Sequence, residues 1–369
     1  MRGAVSSTGG GYGGGATSCP QVGANGAVGR VHTLHAGAMA ASPRITLLLS
    51  RERPFEVARL DRDGRLHRLR AGVYIQRALW EGLAPWERYR ARVLAVARTW
   101  SSAVFCLGSA AVLQGLPIFG EPTHIHLLST DGRSWCEGDV IVHGHADERE
   151  IVDAGGHSVT SLADTAVDLA RVLPPAFALA VVDAAARLLQ GAGKTLAVGE
   201  RGRAQANRRG VRQLDWVQAR ATAVAESPGE SVNRAVIEWL GYERPELQRE
   251  FHYEGVDDRS DFYWPRLRVI GESDGYGKYD GDDPEEIKAH FVREKKREDR
   301  LRRHEGGFAR WDWADTISYE PLDEKLRATG LTPLYPRQDW MLDTLARNPR
   351  SLVPARAAAG PGKRSAVRP

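Results

Sequence analysis

The chain has 369 residues, a length that exceeds one ordinary domain and predicts two. Its formal net charge of +4 permits nucleic-acid binding but argues for it only weakly. No run of about 18 apolar residues occurs, which excludes a hydrophobic membrane-spanning helix, and the three cysteines are too scattered for a disulfide framework, which favours the cytoplasm.

The two ends of the chain have compositions that do not favour a folded core. Residues 1–42 are rich in glycine and other small residues, and they include the run GGGYGGG. Such a segment cannot bury enough apolar surface to fold. Residues 346–369 contain several basic residues and no acidic one. We therefore expect a disordered tail at each end.

Residues 43–195 show the patterns of an α+β unit. Residues 63–74 alternate apolar and basic side chains around glycines, as a β-hairpin does. A short helix that begins at residue 109 is predicted to stop at Gly115 and Pro117. Further helical and strand-like patterns lie at residues 85–99, 123–128, 139–143 and 158–169.

Two histidine pairs in this unit raise the question of a metal site. His124 and His126 are two residues apart on one predicted strand, and His143 and His145 are two residues apart on another. The side chains of each pair therefore point to the same face of their strand. A zinc site usually needs four protein ligands, and no cysteine or acidic residue completes this set. We favour exposed strand histidines over a zinc site.

The order of these blocks resembles the AbiEi-type antitoxins of type IV toxin–antitoxin systems. The resemblance implies an N-terminal winged helix, in which residues 63–74 would form the wing, and a DNA-binding regulatory role. It also implies a cognate toxin protein as a partner. An arginine-rich linker is predicted to follow at residues 196–222.

A helix is predicted to begin at Ser227. Ser227, Pro228 and Glu230 occupy the N-cap, the first helical position and the third, which is the pattern of a capping box. The apolar residues that follow share one helical face, and their spacing places Glu230 nearly opposite that face. Glu230 is therefore a candidate both for capping and for a catalytic site, and the two roles are compatible.

The most informative segment is RSDFYWPRLRVIGESDGYGK, residues 259–278. Asp261 lies in an aromatic strand pattern, and Glu272 and Asp274 end a second strand, where alternation points both the same way. A turn at residues 265–266 would bring Asp261 beside that pair. Converging carboxylates repel each other unless a cation lies among them, and oxygen ligands suit Mg²⁺ or Mn²⁺. The simpler alternative is that Asp274 only begins a hairpin turn.

These residues resemble the core of the PD-(D/E)xK nucleases, and most closely the group similar to the very-short-patch-repair endonuclease. The resemblance covers residues 226–319. It implies an α/β, restriction-endonuclease-like domain over residues 223–345, with a mixed sheet flanked by helices. This chain departs from the family pattern at position 274, where it has Asp274 and the family usually has a lysine. Lys278 would be the nearest source of an amine.

The same resemblance implies roles for individual residues. Mg²⁺ or Mn²⁺ would be held by Asp261, Glu272 and the carbonyl group of Ser273. The implied catalytic residues are Glu230, Asp261, Glu272, Asp274 and Lys278.

A basic helix is predicted at residues 284–304, in a region where most of the chain's few lysines fall. The mobile ammonium group of lysine suits contact with phosphate. The alternative is that the helix only presents a solvated charged face. The predicted nucleic-acid contacts, to DNA more than to RNA, come from Lys295, Lys296, Arg297 and Arg300.

Together these features predict a metal-dependent nucleic-acid phosphodiesterase, endonuclease-like, joined to an antitoxin-like DNA-binding domain in toxin–antitoxin or phage defence. One alternative is a DNA-binding regulator or antitoxin without catalytic activity. Another is a protein-interaction module in phage defence. Metal-dependent cleavage separates the first hypothesis from the other two.

Overall fold

The computed structural model describes residues 45–129, 131–144, 147–274 and 284–347. Within them the chain is an α/β protein in which helices pack on three sheets, so the predicted class is confirmed. The predicted tails lie outside the described residues, apart from the first two residues of the second tail. No described helix is both long and apolar enough to cross a membrane.

The first part of the described chain is a small antiparallel sheet with three helices. Its elements are β1 (Leu47–Leu49), α1 (Pro54–Arg62), β2 (Leu66–Arg70), β3 (Val73–Gln76), α2 (Arg77–Gly82) and α3 (Pro85–Thr99). The strand order is β1-β3-β2, and β2 and β3 form a hairpin where the wing was predicted. Gly72 lies in its turn with a φ of 73°, a conformation that residues with a Cβ rarely adopt.

The second part is a six-stranded mixed sheet covered by helices. Its elements are β4 (Val104–Phe105), α4 (Leu107–Gln114), β5 (Ile125–Leu128), β6 (Trp135–Glu137), β7 (Val140–His143), β8 (Ile151–Asp153), β9 (Ser158–Thr160), α5 (Leu162–Val172) and α6 (Pro175–Gly191). The strand order is β6-β7-β5-β4-β9-β8. As predicted, α4 ends at Gly115, which has a φ of 79°.

The segment for which a linker was predicted, residues 196–222, contains two helices, α7 (Val198–Ala204) and α8 (Val211–Gln218). Leu214 and Val217 of α8 are buried in the main apolar core. Removing these side chains from water stabilises the packing of the segment against the rest of the protein.

The third sheet carries the segment with the predicted site. The elements are α9 (Pro228–Trp239), β10 (Glu246–Tyr253), β11 (Val256–Trp264), β12 (Val269–Ser273), α10 (Pro284–His304), β13 (Gly307–Trp311), α11 (Trp313–Ser318), α12 (Glu320–Ala328) and α13 (Asp339–Leu342). The strand order is β10-β11-β12-β13, with β13 parallel to β12 and the other pairs antiparallel. The predicted mixed sheet is therefore present, and α10 is the crossover that a parallel pair requires.

Helices α6 and α9 join the two halves of the chain. They pack against each other, and one apolar core includes residues of both. Asp183 on α6 is 1% exposed and accepts hydrogen bonds from Arg234 on α9 at 2.6 Å and from the N–H of Thr222 at 2.8 Å. Burial raises the pKa of Asp183, and the guanidinium of Arg234 opposes that rise.

Exposed histidines were expected on these strands. His126 on β5 and His143 on β7 are instead half-buried, because both strands lie inside the sheet. Nδ1 of His126 is 2.9 Å from Nε2 of His143. Burial lowers the pKa of His126 to about 4, and the neighbouring His143 adds to that effect. His126 is therefore neutral near pH 7. His145 lies outside the described residues.

We expect Asp183→Ala to lower the free energy of unfolding by about 3 to 5 kcal/mol, because the Arg234 guanidinium is left without its counter-charge in a buried place. Urea denaturation of the wild type and the variant measures this difference. Glu254→Ala is the control, because Glu254 pairs with Arg303 at the surface, where water weakens ion pairs. Equal losses in the two variants would contradict a special role for the buried pair.

Candidate metal and nucleic-acid site

The hairpin of β11 and β12 brings Asp261 and Glu272 together. Phe262 pairs with Gly271 in the antiparallel register, so Asp261 and Glu272 are the next residues on the two strands and face each other. Residues 265–268 form the turn of this hairpin, where a turn was predicted. The two acidic residues therefore lie at the same end of the sheet.

A buried polar network holds the end of β12. Asn233 on α9 is 1% exposed, donates a 2.8 Å hydrogen bond to the Ser273 hydroxyl and accepts one of 2.8 Å from the Trp311 indole. The Trp311 ring lies against Gly271, where a Cβ would be 2.5 Å from the ring. The N–H of Ser273 donates a 2.9 Å hydrogen bond to Oδ2 of Asp261. Elements on both sides of β12 thus fix the strand end that carries the carboxylates.

Glu272 is a buried acid beside another acid. It is 3% exposed, and its Oε1 accepts a 2.7 Å hydrogen bond from Arg297 on α10. Burial raises the pKa of Glu272 to about 8, the negative charge of Asp261 adds to the rise, and Arg297 and Arg310 oppose it. Ionised Glu272 is therefore costly unless a cation is close.

Glu230 lies at the start of α9, beside this hairpin. Ser227 caps the helix as predicted, because its hydroxyl accepts a 3.1 Å hydrogen bond from the N–H of Glu230. The reciprocal bond differs from a capping box, since Oε2 of Glu230 accepts from the N–H of Glu226 at 2.9 Å and from Nε2 of Gln248 at 2.8 Å. Burial raises the pKa of Glu230, and Asp261 contributes to that rise.

The position of Glu230 differs from the one expected from helical spacing. The spacing placed it opposite the apolar face of the helix, whereas it is 4% exposed. Gln248 on β10 covers this side of α9 through its hydrogen bond to the carboxylate. The burial thus comes from a strand that the helical pattern does not include.

The three carboxylates share one arrangement. In Glu230, Asp261 and Glu272, one carboxylate oxygen accepts a hydrogen bond from a backbone or side-chain nitrogen, and none of these bonds reaches the other oxygen. Mg²⁺ often binds through one or two carboxylates and keeps several waters, so Asp261 and Glu272 are sufficient for it. In the described parts of the chain, no group of three or more His, Cys, Asp or Glu residues is placed to hold a metal ion. Water and the Ser273 carbonyl would complete the coordination shell.

Asp274 directly follows the last residue of β12. The next described strand, β13, runs parallel to β12, so these two strands do not form a hairpin. The N–H of Asp274 donates a 2.8 Å hydrogen bond to the carbonyl of Trp311, and its Oδ1 is 3.7 Å from Nε of Arg310. Lys278, the predicted source of an amine, lies outside the described residues.

The two arginines predicted to contact nucleic acid each pair with an acidic residue of the sheet, and Arg297 also pairs with Glu294 on its own helix. Arg297 donates to Glu272 at 2.7 Å and to Glu294 at 3.1 Å. Arg300 forms a bidentate pair with Asp258, with distances of 2.6 and 2.7 Å. Bidentate arginine–carboxylate pairs are strong and directional, so these side chains hold α10 against the sheet.

The two predicted lysines lie on the outer side of the same helix. Lys295 and Lys296 are both exposed. Lys295 is 3.2 Å from Asp299, one helical turn away, in a pair that is itself exposed. Exposed pairs of this kind are weak, so both ammonium groups are accessible to a polyanion.

A cleft of about 840 Å³ opens along β10, an edge strand of the third sheet. Gln248 lines this cleft and also contacts Glu230, so the cleft adjoins the carboxylates. Two of its arginines are paired with Glu238. The arginines that line it are Arg220, Arg234, Arg244 and Arg249.

Sequence patterns did not identify Asn233 or Gln248 as parts of this site. Asn233 had a weak signal, because it is a polar residue next to the apolar face of a predicted helix. Gln248 had none, because its contact with Glu230 depends on how β10 pairs with β11.

Two relatives are known from Mycobacterium tuberculosis, one from each of two strains, and both are described only as uncharacterised proteins. Each is 36% identical to this chain over 173 residues, which is 46% of this chain and 62% of the relative. The chain therefore spans less than two thirds of the length of the curated relatives it matches. No family model and no solved structure matches the chain.

We expect Glu272→Gln to raise the melting temperature near pH 9 and to change it little near pH 4. The pKa of Glu272 rises from 4.5 to about 8 on folding, so this group stabilises the fold fully below pH 4.5, and the contribution is lost as the pH rises through 8. Glutamine stays neutral throughout. Scanning calorimetry across this range, with the exposed Glu250→Gln as control, measures the difference. A variant that melts below the wild type near pH 9 would contradict this account.

Proposed function

We propose that this protein is a metal-dependent, endonuclease-like phosphodiesterase of the cytoplasm that acts on nucleic acid, and on DNA more than on RNA. The observation that carries the proposal is the pair of facing carboxylates, Asp261 and Glu272. Each has one oxygen held by the protein and one without a hydrogen bond from the described residues. Glu230, on the adjoining helix α9, has a pKa that the charge of Asp261 helps to raise.

Asp261, Glu272 and the Ser273 carbonyl are the residues that would hold Mg²⁺ or Mn²⁺. When bound, such an ion supplies Lewis-acid stabilisation of charge on the phosphodiester. The protein's own contribution is to hold these oxygens in place. The Ser273 N–H orients Asp261, and the Arg297 guanidinium orients Glu272.

Glu230 is the residue we assign to proton transfer. Its pKa is raised by burial, and a carboxylate of raised pKa accepts a proton from water more readily near neutral pH. Asp274 directly follows the metal-holding residues in the chain, and Lys278 lies four residues after Asp274. We propose that Lys278 offsets negative charge on the phosphate, as the lysine of the nuclease family does.

We expect Asp261→Asn to abolish cleavage of labelled DNA in Mn²⁺. We also expect it to weaken Mn²⁺ binding more than the roughly 10- to 100-fold loss caused by removing a residue that only supports a metal ligand. The amide has a similar shape but lacks the negative charge that the cation requires. Cleavage assays and isothermal titration calorimetry measure the two effects.

Asp257→Asn is the matched control for that experiment, because Asp257 lies on the same strand, is exposed and pairs with His252 at the surface. It should bind and cleave as the wild type does. Equal Mn²⁺ affinity in Asp261→Asn and the wild type would refute the metal site. Cleavage that persists in EDTA would refute metal dependence.

The exposed lysines of α10 are proposed to contact the phosphate backbone. A Lys295→Ala and Lys296→Ala double variant should weaken binding to all DNA sequences about equally. It should also reduce the slope of log affinity against log salt by about 0.7 to 0.9 for each phosphate that is no longer neutralised. Fluorescence anisotropy with a labelled duplex and a labelled single strand, from about 50 to 200 mM salt, measures the slope.

Lys325→Ala on α12 is the control for the double variant, because Lys325 is paired with Asp315 on the neighbouring helix. Its salt slope should equal that of the wild type. An unchanged slope in the double variant would make α10 a solvated face with no role in binding.

A second proposal is a DNA-binding regulator or antitoxin without cleavage, which acts with a cognate toxin. The Arg297–Glu272 ion pair favours it, because a guanidinium already offsets the charge that a metal ion would offset. The β2–β3 hairpin, at the position expected of a wing, also favours it. Binding to its own promoter without cleavage in Mn²⁺ would select this proposal over the first.

A further inference from the structure

Gln248 has an unusual backbone conformation for a residue within a strand. Its φ is 53°, in the left-handed region that side chains with a Cβ rarely adopt. Leu247 and Arg249, on either side, pair with Phe262 and Ser260 of β11. Gln248 therefore occupies the register position that faces Asp261.

The side chain of Gln248 reaches the candidate site from this position. Its Nε2 donates a 2.8 Å hydrogen bond to Oε2 of Glu230. The same oxygen accepts a bond from the N–H of Glu226 at 2.9 Å. Both of these nitrogen donors bind Oε2, so neither of them occupies Oε1 of Glu230.

The presence of glutamine at this left-handed position indicates that its contact with Glu230 has a functional role. Glycine, or asparagine among residues with a Cβ, is the common choice at a left-handed position, because each adopts it at lower cost. Glutamine lacks that advantage but has the longer side chain. A conformation of this kind persists only where the surrounding structure holds it, and such positions cluster at functional sites.

We infer that Gln248 is a positioning residue that fixes the Glu230 carboxylate so that Oε1 remains available to the water shell of a divalent cation held by Asp261 and Glu272. The inference rests on the proposed function. The backbone of β10, the strand that borders the cleft, places the Gln248 side chain. That side chain in turn sets the orientation of the Glu230 carboxylate on α9.

Gln248→Gly and Gln248→Asn test this inference, because both accept a φ of 53° and neither reaches Glu230. Mn²⁺ affinity, measured by isothermal titration calorimetry on the full chain, should fall about 10- to 100-fold, as it does when a supporting partner of a ligand is removed. The melting temperature without metal should stay equal or rise, because the left-handed conformation no longer opposes folding. A merely structural role predicts the reverse, a lower melting temperature with unchanged affinity.

Arg249→Gly is the matched control, because it places glycine at the next residue of β10, where φ is not positive. It should lower the melting temperature and leave Mn²⁺ affinity undiminished, since removing a cation does not weaken cation binding. Wild-type affinity in both Gln248 variants would overturn the inference while the metal site stands. Absence of Mn²⁺ binding in the wild type would overturn the proposed function and the inference together.

Discussion

The burial of Glu272 directly opposite a second acid, at one end of a hairpin, is the constraint on which the site depends. Glu272 is buried and faces the half-buried Asp261, so ionised Glu272 needs a positive partner. Arg297 supplies one guanidinium, and it can do so only because α10 lies against the sheet. The helix that connects two parallel strands thus also provides the counter-charge for the acid on the first of them. The outer face of the same helix keeps its lysines in solvent. One face of α10 therefore supports the carboxylates, and the other is accessible to a polyanion.

The carboxylates also depend on parts of the chain that lie far from them in sequence. Helix α9 contributes Glu230 and Asn233, and Asn233 reaches Ser273 on the hairpin. That helix is held on α6 by the buried pair of Asp183 and Arg234. The six-stranded sheet and its helices therefore support the site through one continuous apolar core. A change in the first half of the chain can alter the site without touching a carboxylate.

Several features that oppose folding locally are concentrated around this hairpin. Two buried acids have a raised pKa, Gln248 is left-handed, and Gly271 leaves room for an indole ring against the strand. Each of these is unfavourable or weakly specified by local sequence, and each is stabilised by a partner from another element. Such conflicts between local preference and overall fold are typical of functional sites. Their concentration here supports a functional site at this end of the sheet.

The sequence by itself determined the features that follow from local periodicity and turn chemistry. Strand alternation and a turn near Pro265 predicted the hairpin that carries Asp261 and Glu272, and Ser227 predicted the start of α9. Only the tertiary structure decided that Glu230 is buried, that Arg297 faces an acid, and that β13 pairs with β12 in the parallel direction. These facts depend on partners 18 or more residues away, which no local pattern encodes. The side chains therefore acquire their surroundings, and Glu230 and Glu272 their perturbed pKa values, only when strands and helices pack.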